Sequence, residues 1–231
     1  MIELIHGDCL VELPKLGLDP QRCVILTDPP YGVNHDTDYT RFSGGSSEQH
    51  RHRHRHIEND NAPFDPSHLL GFERVVLWGS NNYSDRLPRG SLFIWDKRTP
   101  NGNKNVMSDG EAAWYSRGNG VYIFQHTWDG FNRASERRTA YHPAQKPVAV
   151  MAWCIEKMRI PEGFTIVDPY FGSGPVALAA DDAGFDFIGI EIDRAYFEIA
   201  QRRIAEAQLQ PRLPEIDKEP APPPEQLPMA L

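Results

Sequence analysis

Short runs of apolar, often β-branched residues alternate along this chain with longer segments in which apolar residues recur at helical spacing. The runs predict strands at residues 2–6, 24–27, 75–78, 92–95, 121–124, 165–167 and 187–190. The helical spacing predicts α-helices at residues 9–16, 109–115, 147–158, 175–183 and 194–207. Strands that alternate with helices favour an α/β fold with a mostly parallel central sheet flanked by helices. Ligands of such sheets bind beyond the carboxyl ends of the strands, so chemistry is expected there.

Composition narrows the class of protein. The chain has 231 residues, of which 40% are hydrophobic, and this length suits one domain. The apolar runs are too short to cross a bilayer and the first residues do not resemble a signal peptide, so we expect a soluble, cytoplasmic protein without a membrane partner. The three cysteines lie far apart and predict neither a disulfide framework nor a zinc site.

The formal net charge of −8 hides an uneven distribution. Residues 86–147 contain ten Lys or Arg and five Asp or Glu side chains, and are therefore basic within an acidic chain. This pattern is typical of a phosphate-binding face, although chance clustering on a solvated surface produces it as well. Residues 210–231 contain seven prolines and predict an extended tail outside the core.

A glycine-rich turn follows the predicted strand at 165–167. The segment 166–175 reads Ile-Val-Asp-Pro-Tyr-Phe-Gly-Ser-Gly-Pro, in which glycines allow a ligand to approach the backbone. Glu191 ends the next strand, 23 residues after Asp168, at the spacing expected for a carboxylate that binds ribose hydroxyls. The turn lacks the third glycine of a dinucleotide site and the lysine of a phosphate loop, so it indicates either a nucleoside site or an ordinary tight turn.

Two further motifs stand out, and the first of them contains groups suited to a planar base. Asp28-Pro29-Pro30-Tyr31 places a carboxylate, a free proline carbonyl and an aromatic ring directly after a strand. These groups suit an exocyclic amine on a base, although a Pro-Pro turn leaving a strand has the same sequence. The segment 142–147, His-Pro-Ala-Gln-Lys-Pro, opens the helix before the glycine-rich strand.

Along the chain, the Asp28-Pro29-Pro30-Tyr31 motif comes before the segment 142–147, and the glycine-rich segment 168–174 comes last. In that order the three motifs resemble the amino-methyltransferases that modify DNA bases with S-adenosylmethionine. The resemblance covers residues 1–207. The catalytic motif precedes the cofactor motif, which resembles the β-class arrangement, and the context of Trp114, Trp128 and Phe131 resembles the phage-type adenine-specific branch. The resemblance implies a circularly permuted Rossmann-like fold in which the third strand of the cofactor half begins the chain.

The resemblance also implies a domain organisation and an activity. Residues 1–209 would form the catalytic domain, with a mobile loop at 32–62, DNA-recognition elements at 97–141 and a tail at 210–231. The implied reaction transfers a methyl group from S-adenosylmethionine to adenine N6 of a flipped-out base in double-stranded DNA, without a metal. Cytosine-N4 methylation and a non-catalytic nucleoside-binding protein are the alternatives, and Asp28, where cytosine enzymes usually have Ser, favours adenine. We expect a homodimer from a bacterium or phage, and the existence of a cognate restriction endonuclease stays open.

Candidate site residues follow from the motif positions. The catalytic candidates are Asp28, Pro29, Pro30 and Tyr31. The cofactor-binding candidates are Asp8, Cys9, Asp28, His142, Lys146, Asp168, Phe171, Gly172, Ser173, Gly174 and Glu191. The DNA-binding candidates are Lys97, Arg98, Lys104, Arg133, Arg137 and Arg138. Pro175 departs from the family, which usually has Thr there, and we expect no role for it. The Arg/His alternation at 51–56 either grips phosphates, closes over the base, binds metal adventitiously or forms a solvated loop.

Overall fold

The computed structural model describes residues 1–34, 58–99, 108–128, 133–136 and 145–209. The strands in these ranges are β1 (Ile2–His6), β2 (Cys23–Thr27), β3 (Arg74–Trp78), β4 (Ser91–Asp96), β5 (Gly110–Tyr115), β6 (Val121–Gln125), β7 (Thr165–Asp168) and β8 (Asp186–Glu191). The helices are α1 (Cys9–Lys15), α2 (Val148–Met158), α3 (Pro175–Asp182) and α4 (Arg194–Leu209). Short 3-10 turns lie at Pro66–His68, Ser80–Asn82 and Ser84–Arg86. Among these described helices, none is both long and apolar enough to cross a membrane.

The strands form one sheet in the order β1-β8-β7-β2-β3-β5-β4-β6. Neighbouring strands are parallel except that β5 runs antiparallel to both β3 and β4. The first strand of the chain pairs with the last one, with Ile5 opposite Ile190. The permuted order therefore places the N-terminal strand next to the strand that follows the glycine-rich turn. The predicted α/β Rossmann-like fold with a mostly parallel sheet is confirmed.

One predicted element is wrong. Glu and Ala favour helices, yet residues 110–115 of the predicted helix 109–115 form strand β5. Its backbone pairs on both sides, with Trp114 opposite Leu77 in β3 and opposite Leu92 in β4. Strand pairing along all six residues with β4 and along three residues with β3 outweighs a helix propensity that amounts to tenths of a kcal/mol per residue. The remaining predicted helices and strands lie within two residues of the observed ones.

The central strands are buried on both faces, which explains why their sequences read as continuous apolar runs. All five residues of β2 are buried. Leu26 packs into a cluster with residues from α2, α3 and α4, whereas its neighbour Ile25 packs on the opposite face against α1 and Phe64. Helices therefore cover one face, and α1 with the segment around Phe64 and Leu69 covers the other.

The parallel strands place several polar residues at one edge of the sheet. Strands β1, β8, β7 and β2 are adjacent and parallel, so their carboxyl ends meet there. Asp8, Asp28, Asp168 and Glu191 lie at or just beyond these ends. The edge contains the glycine-rich turn, which we call the first motif, and the Asp28-Pro29-Pro30-Tyr31 segment, which we call the second motif. More than a hundred residues separate them along the chain.

Candidate active site

The Asp28-Pro29-Pro30-Tyr31 motif closes on itself directly after β2. One carboxylate oxygen of Asp28, Oδ1, accepts a hydrogen bond from the Tyr31 hydroxyl. The other oxygen, Oδ2, lies 2.6 Å from the Lys146 ammonium nitrogen, which also lies 2.9 Å from the Tyr31 hydroxyl. The second motif, at residues 28–31, therefore contacts the third motif, at residues 142–147, although the two are far apart along the chain. Pro30 and Tyr31, the last two residues of the motif, are half-buried.

A residue that the sequence analysis did not select completes this cluster. Glu111, on β5, places Oε2 at 2.8 Å from the Lys146 nitrogen, and its Oε1 pairs with Lys97. Lys146 is 3% exposed, so its charge is compensated almost entirely by the two carboxylates. Asp28, Lys146, Glu111 and Lys97 thus form a chain of alternating charges. Sequence reasoning missed Glu111 because residues 110–115, Gly-Glu-Ala-Ala-Trp-Tyr, show no strand alternation and were expected to form a helix.

Burial and charge act in opposite directions on these groups. Burial raises the pKa of Asp28 above its ordinary value, and the neighbouring Lys146 only partly offsets this. Burial alone would lower the pKa of Lys146, but Asp28 and Glu111 outweigh it and the pKa is raised. Burial also raises the pKa of Glu111, yet Lys146 and Lys97 hold it at about 2. The ammonium therefore stays protonated and Glu111 stays ionised at neutral pH.

The ring of Tyr31 lies directly against the backbone at the end of β3. A methyl group at Gly79 would lie 2.0 Å from a ring carbon of Tyr31, and Gly79 has a φ of +70°. A side chain at this position would therefore meet both backbone strain and a steric clash. Gly79 sets the position of the tyrosine hydroxyl that bonds Asp28.

We expect Gly79→Ala to lower the free energy of unfolding by about 1–2 kcal/mol or more, because the left-handed backbone is costly for alanine. Displacing the Tyr31 ring would also break its bonds to Asp28 and Lys146, so turnover should fall. Urea denaturation measures the loss of stability, and an assay of the activity that the resemblance implies measures the loss of turnover. Gly71→Ala is the matched control, since nothing lies within 4 Å of a methyl group there. Equal stability of the two variants would contradict the prediction.

The glycine-rich turn begins at Asp168, which is 2% exposed. Its Oδ1 accepts hydrogen bonds from the Thr27 hydroxyl at 2.5 Å and from the Tyr170 amide at 3.1 Å. Burial raises the pKa of Asp168 to about 7, although both hydrogen bonds lower it. Thr27 precedes Asp28 directly, so its hydroxyl links the carboxylate of the turn to the start of the second motif.

The turn itself leaves room for a ligand. Gly172 has a φ of +51°, and no atom lies within 4 Å of the position that a methyl group would take. Its amide donates to Glu191 Oε2 at 2.8 Å, and Glu191 Oε1 accepts from the Asp193 amide at 2.7 Å. Gly174, with a φ of +83°, then begins α3 with Pro175 in its first position. The predicted glycines and Glu191 are thus brought together.

Ser173, which lies between the two glycines of the turn, accepts hydrogen bonds from α4. Arg203 of α4 donates to the Ser173 carbonyl at 2.6 Å and to its hydroxyl at 3.1 Å. The same guanidinium donates to Glu136 at 2.9 Å, and Glu136 also accepts from Gln145 at 2.8 Å and from the Val148 amide at 3.2 Å. Sequence reasoning missed Arg203 and Glu136. Together they tie the turn to the start of α2.

Phe171 and Tyr170 have different environments. Phe171 is 1% exposed and packs against Phe197 with ring centroids 6.1 Å apart, so its ring belongs to the core. Tyr170 is half-buried, and its hydroxyl lies 3.1 Å from His68 Nε2. The role predicted for Phe171 in lining a cofactor stays a prediction, and Tyr170 is the less buried ring of the pair.

Asp8 and Cys9 lie where β1 passes into α1. Asp8 caps the helix, since its side chain accepts from the Leu10 amide at 2.9 Å. Cys9 is buried, and this burial raises the pKa of its thiol to about 11. The Gly7 amide donates to the Glu191 carbonyl at 2.9 Å, which joins the ends of β1 and β8. Asp8 therefore belongs to the same edge of the sheet as Asp168 and Glu191.

The described DNA-binding candidates have partners within the chain. Lys97 pairs with Glu111 and lies over the Trp95 ring at 4.7 Å. Arg98 forms two hydrogen bonds of 2.9 Å with Asp96, and its side chain is half exposed. The Arg133 guanidinium lies 4.4 Å from the centre of the Trp128 ring. Four candidate residues lie outside the described residues, namely Lys104, Arg137, Arg138 and His142. The Arg/His alternation at 51–56 lies outside them as well.

The two ends of the predicted loop 32–62 are tied together. Asp60 is 2% exposed, and its carboxylate accepts from the Gly32 amide at 2.8 Å and from the Val33 amide at 3.3 Å. The Asn34 amide donates to the Asp60 carbonyl at 2.7 Å. Residues 35–57 of the loop lie outside the described residues, and its predicted role in DNA binding stays a prediction.

Comparison with known proteins places this geometry in context. A family model described as DNA methylase matches residues 94–202. The Type II methyltransferase M.ScaI of Streptomyces caespitosus is 43% identical over 89 residues, which is 38% of this chain and 29% of that protein. The Type II methyltransferase M.HinfI of Haemophilus influenzae is 22% identical over an alignment of 256 positions, which covers 90% of this chain and 69% of that protein. The chain thus spans less than a third of the first relative and about two thirds of the second.

Solved structures share the fold. The putative DNA modification methylase TTHA0409 of Thermus thermophilus, crystallised with S-adenosyl-L-methionine, is 17% identical with a TM-score of 0.51, and the match covers 90% of this chain and 94% of that one. PvuII DNA methyltransferase, which is cytosine-N4-specific, is 16% identical with a TM-score of 0.52, and the match covers 89% of this chain and 90% of that one. At these identities the likeness establishes the architecture of the sheet and helices.

Proposed function

We propose that this chain, whose residues 94–202 match the DNA methylase family, is a DNA methyltransferase that takes its methyl group from S-adenosylmethionine. One observation supports this most strongly. The Thr27 hydroxyl bonds Asp168 of the glycine-rich turn, and the next residue is Asp28 of the second motif. The proposed cofactor-binding and amine-binding carboxylates are thereby held at the ends of the adjacent strands β7 and β2.

The residues at this edge of the sheet fit the proposed cofactor. S-adenosylmethionine supplies a methyl group on a positively charged sulfonium. The open space at Gly172 accommodates a ligand close to the backbone. Glu191 and Asp8 offer acceptors for ribose or base groups, and the carboxylates of Asp28 and Asp168 favour a positive charge nearby. Phe171, Ser173 and Gly174 complete the proposed turn, with Lys146 and His142 assigned to the methionine end.

The substrate amine needs help from the protein because its lone pair is delocalised into the base. Asp28 and the Pro29 carbonyl accept hydrogen bonds from the two N–H groups, so the nitrogen pyramidalises and regains its lone pair. The same acceptors stabilise the positive charge that develops on nitrogen during transfer. The side chains of Tyr31 and Lys146 hold the Asp28 carboxylate in one orientation, which supplies part of the alignment that a direct transfer requires.

Adenine N6 is the amine we propose, with cytosine N4 as the alternative. Asp28 in the first position of the second motif favours adenine, whereas PvuII DNA methyltransferase, which shares the fold, is cytosine-N4-specific. In a duplex the amine is out of reach of this site, so the base is flipped out, and Tyr31 stacks on it. The basic segment contacts the phosphates of double-stranded DNA, and a homodimer presents two such faces.

Identification of the methylated nucleoside tests this proposal. The protein is incubated with unmodified genomic DNA and S-adenosylmethionine labelled on its methyl group, and the digested nucleosides are analysed by mass spectrometry. We expect labelled N6-methyladenine. Labelled N4-methylcytosine would show that the protein is a DNA methyltransferase that acts on cytosine instead of adenine. The absence of any labelled nucleoside would contradict the proposed function.

Cofactor binding should release a proton through Asp168. The pKa of this buried carboxyl is about 7, so the group is largely protonated below that pH, and a positive ligand favours its ionised form. We therefore expect the affinity for S-adenosylmethionine to rise as the pH rises towards 7, by at most about tenfold per unit. Calorimetry in buffers of different ionisation enthalpy measures the released proton directly.

Asp168→Asn cannot release this proton, so its affinity should be lower above pH 7 and nearly independent of pH. The matched control is Asp182→Asn, because Asp182 is an exposed carboxylate on α3. We expect the control to bind with the wild-type pH dependence. If Asp168→Asn still releases a proton on cofactor binding, the proton comes from another group and the prediction for Asp168 is wrong.

A further inference from the structure

The Lys146 ammonium is shared by two carboxylates that come from different strands. Its nitrogen lies 2.6 Å from Asp28, which follows β2, and 2.8 Å from Glu111, which belongs to β5. The rings of Tyr31 and Trp78 lie around it, each with a centroid 5.6 Å away. Lys146 is 3% exposed, so solvent contributes little to the stabilisation of its charge. A change at one carboxylate therefore alters the electrostatic environment of the other through the lysine that they share.

Both oxygens of Asp28 are already engaged. Tyr31 donates to Oδ1 and Lys146 donates to Oδ2. A substrate amine that binds Asp28 must share these oxygens with the two donors or displace one of them. If Asp28 were the only counter-ion of Lys146, the ammonium would bind this carboxylate strongly. Any weakening of that contact would leave a buried charge unpaired, which is costly. Lys146 has a second counter-ion in Glu111, which is itself anchored by Lys97.

We propose that Glu111 is a positioning residue for methyl transfer: it holds the Lys146 ammonium so that Asp28 is free to bind the substrate amine. The inference rests on the proposed methyltransferase function and assigns a role to a residue that lies outside the three sequence motifs. Glu111 does not touch the amine. It acts through Lys146, and the acceptor strength of Asp28 depends on how the ammonium is divided between the two carboxylates.

The charges around Asp28 make this division measurable. The groups that act on its pKa are Lys146, Glu111 and Tyr31, and Asp168 and Tyr83 interact with it from the neighbouring elements. Burial raises the pKa of Asp28, Lys146 lowers it, and the negative charge of Glu111 raises it. Removing the charge of Glu111 therefore lowers the pKa of Asp28, because Lys146 is then left to Asp28 alone.

Glu111→Gln is the test. We expect kcat to fall by about tenfold or more, since the carboxylate that accepts from the amine is held by Lys146. The affinity for S-adenosylmethionine should change less than kcat does, and the acid limb of the kcat–pH profile should move to lower pH. Glu73→Gln is the matched control, since it removes a carboxylate from an exposed ion pair with Arg117. An unchanged kcat, or an acid limb that stays in place, would overturn the inference.

A second measurement does not depend on turnover. Carboxyl carbon NMR follows the titration of Asp28 in the wild-type protein and in Glu111→Gln, without DNA or cofactor, and we expect a lower pKa in the variant. An unchanged pKa of Asp28 would overturn the inference even if methyl transfer is observed. Wild-type protein that transfers no methyl group would refute the proposed function, while the titration still decides whether Glu111 controls Asp28 through Lys146.

A conservative variant covers the case in which Glu111→Gln does not fold. Glu111→Asp keeps the charge but shortens the side chain by one methylene, so its contact with Lys146 or Lys97 lengthens. We expect a smaller loss of kcat, with the acid limb at its wild-type position. Full wild-type kcat in Glu111→Asp, with a Gln variant that does not fold, would assign Glu111 to stability alone and overturn the inference.

Discussion

Asp28→Ala is expected to abolish methyl transfer, with a loss of at least about a thousandfold in kcat, while the protein still binds S-adenosylmethionine. The variant loses the acceptor that activates the amine, and no other carboxylate of the described residues takes its position. Lys146 keeps Glu111 as its counter-ion at 2.8 Å, so the variant should fold. Turnover with DNA and calorimetry with the cofactor measure the two parts of this result.

The preserved cofactor binding is the informative part of that experiment. Asp168, Gly172 and Glu191 belong to β7, the glycine-rich turn and β8, and their contacts with one another do not include Asp28. A substitution that merely disturbed the fold would reduce binding and turnover together. Asp85→Ala serves as the control because Asp85 is exposed on the 3-10 turn Ser84–Arg86. Turnover close to wild type in Asp28→Ala would refute the role of the second motif.

Lys146→Met is expected to lower the free energy of unfolding by about 3–5 kcal/mol, because the part-buried Asp28 loses its cation and Glu111 is left with Lys97. Asp28 loses its contact at 2.6 Å and Glu111 loses one at 2.8 Å, while methionine fills most of the space of the lysine chain. Urea denaturation at neutral pH measures the difference. The side chain is 3% exposed, so water cannot replace the ammonium.

The same variant should show a defined dependence on pH. Without Lys146 the carboxylates in this cluster have raised pKa values in the folded state, so they bind protons that the unfolded chain releases. The stability that the variant lacks at neutral pH should therefore return in part as the pH falls. Lys157→Met is the control, since Lys157 pairs with Glu156 at 3.7 Å on an exposed face of α2 and should change stability by no more than about 0.5 kcal/mol. Equal destabilisation by the two substitutions would show that burial of the lysine does not matter.

The basic segment shows why a count of charges does not define a surface. Residues 86–147 have an excess of positive side chains, which favours a phosphate-binding face. In the described residues, Lys97 and Lys146 compensate Glu111, and Arg98 binds Asp96. Part of the excess therefore stabilises the chain itself. The DNA-binding role of the remaining side chains stays a prediction, since partners in space are not visible in the composition.

The sequence alone determined the features that depend on neighbouring residues. Continuous apolar runs identified strands such as β2 and β7, because a strand buried on both faces needs apolar side chains at every position. The motifs around Asp28 and Asp168 were located at the ends of these strands, and the order of the motifs predicted a permuted sheet in which the chain begins within the cofactor half. Local patterns are sufficient here because each motif is one turn directly after one strand.

Only the tertiary structure decided which side chains share a charge or a face. The segment 110–115 became a strand because β3 and β4 offered it two ladders of hydrogen bonds, and this pairing brought Glu111 to Lys146. Similarly, Phe171 entered the core while Tyr170 stayed half-buried, although the two rings are adjacent in sequence. Contacts between residues far apart along the chain depend on how the strands are ordered in the sheet, and their energies exceed the local propensities that a sequence pattern reports.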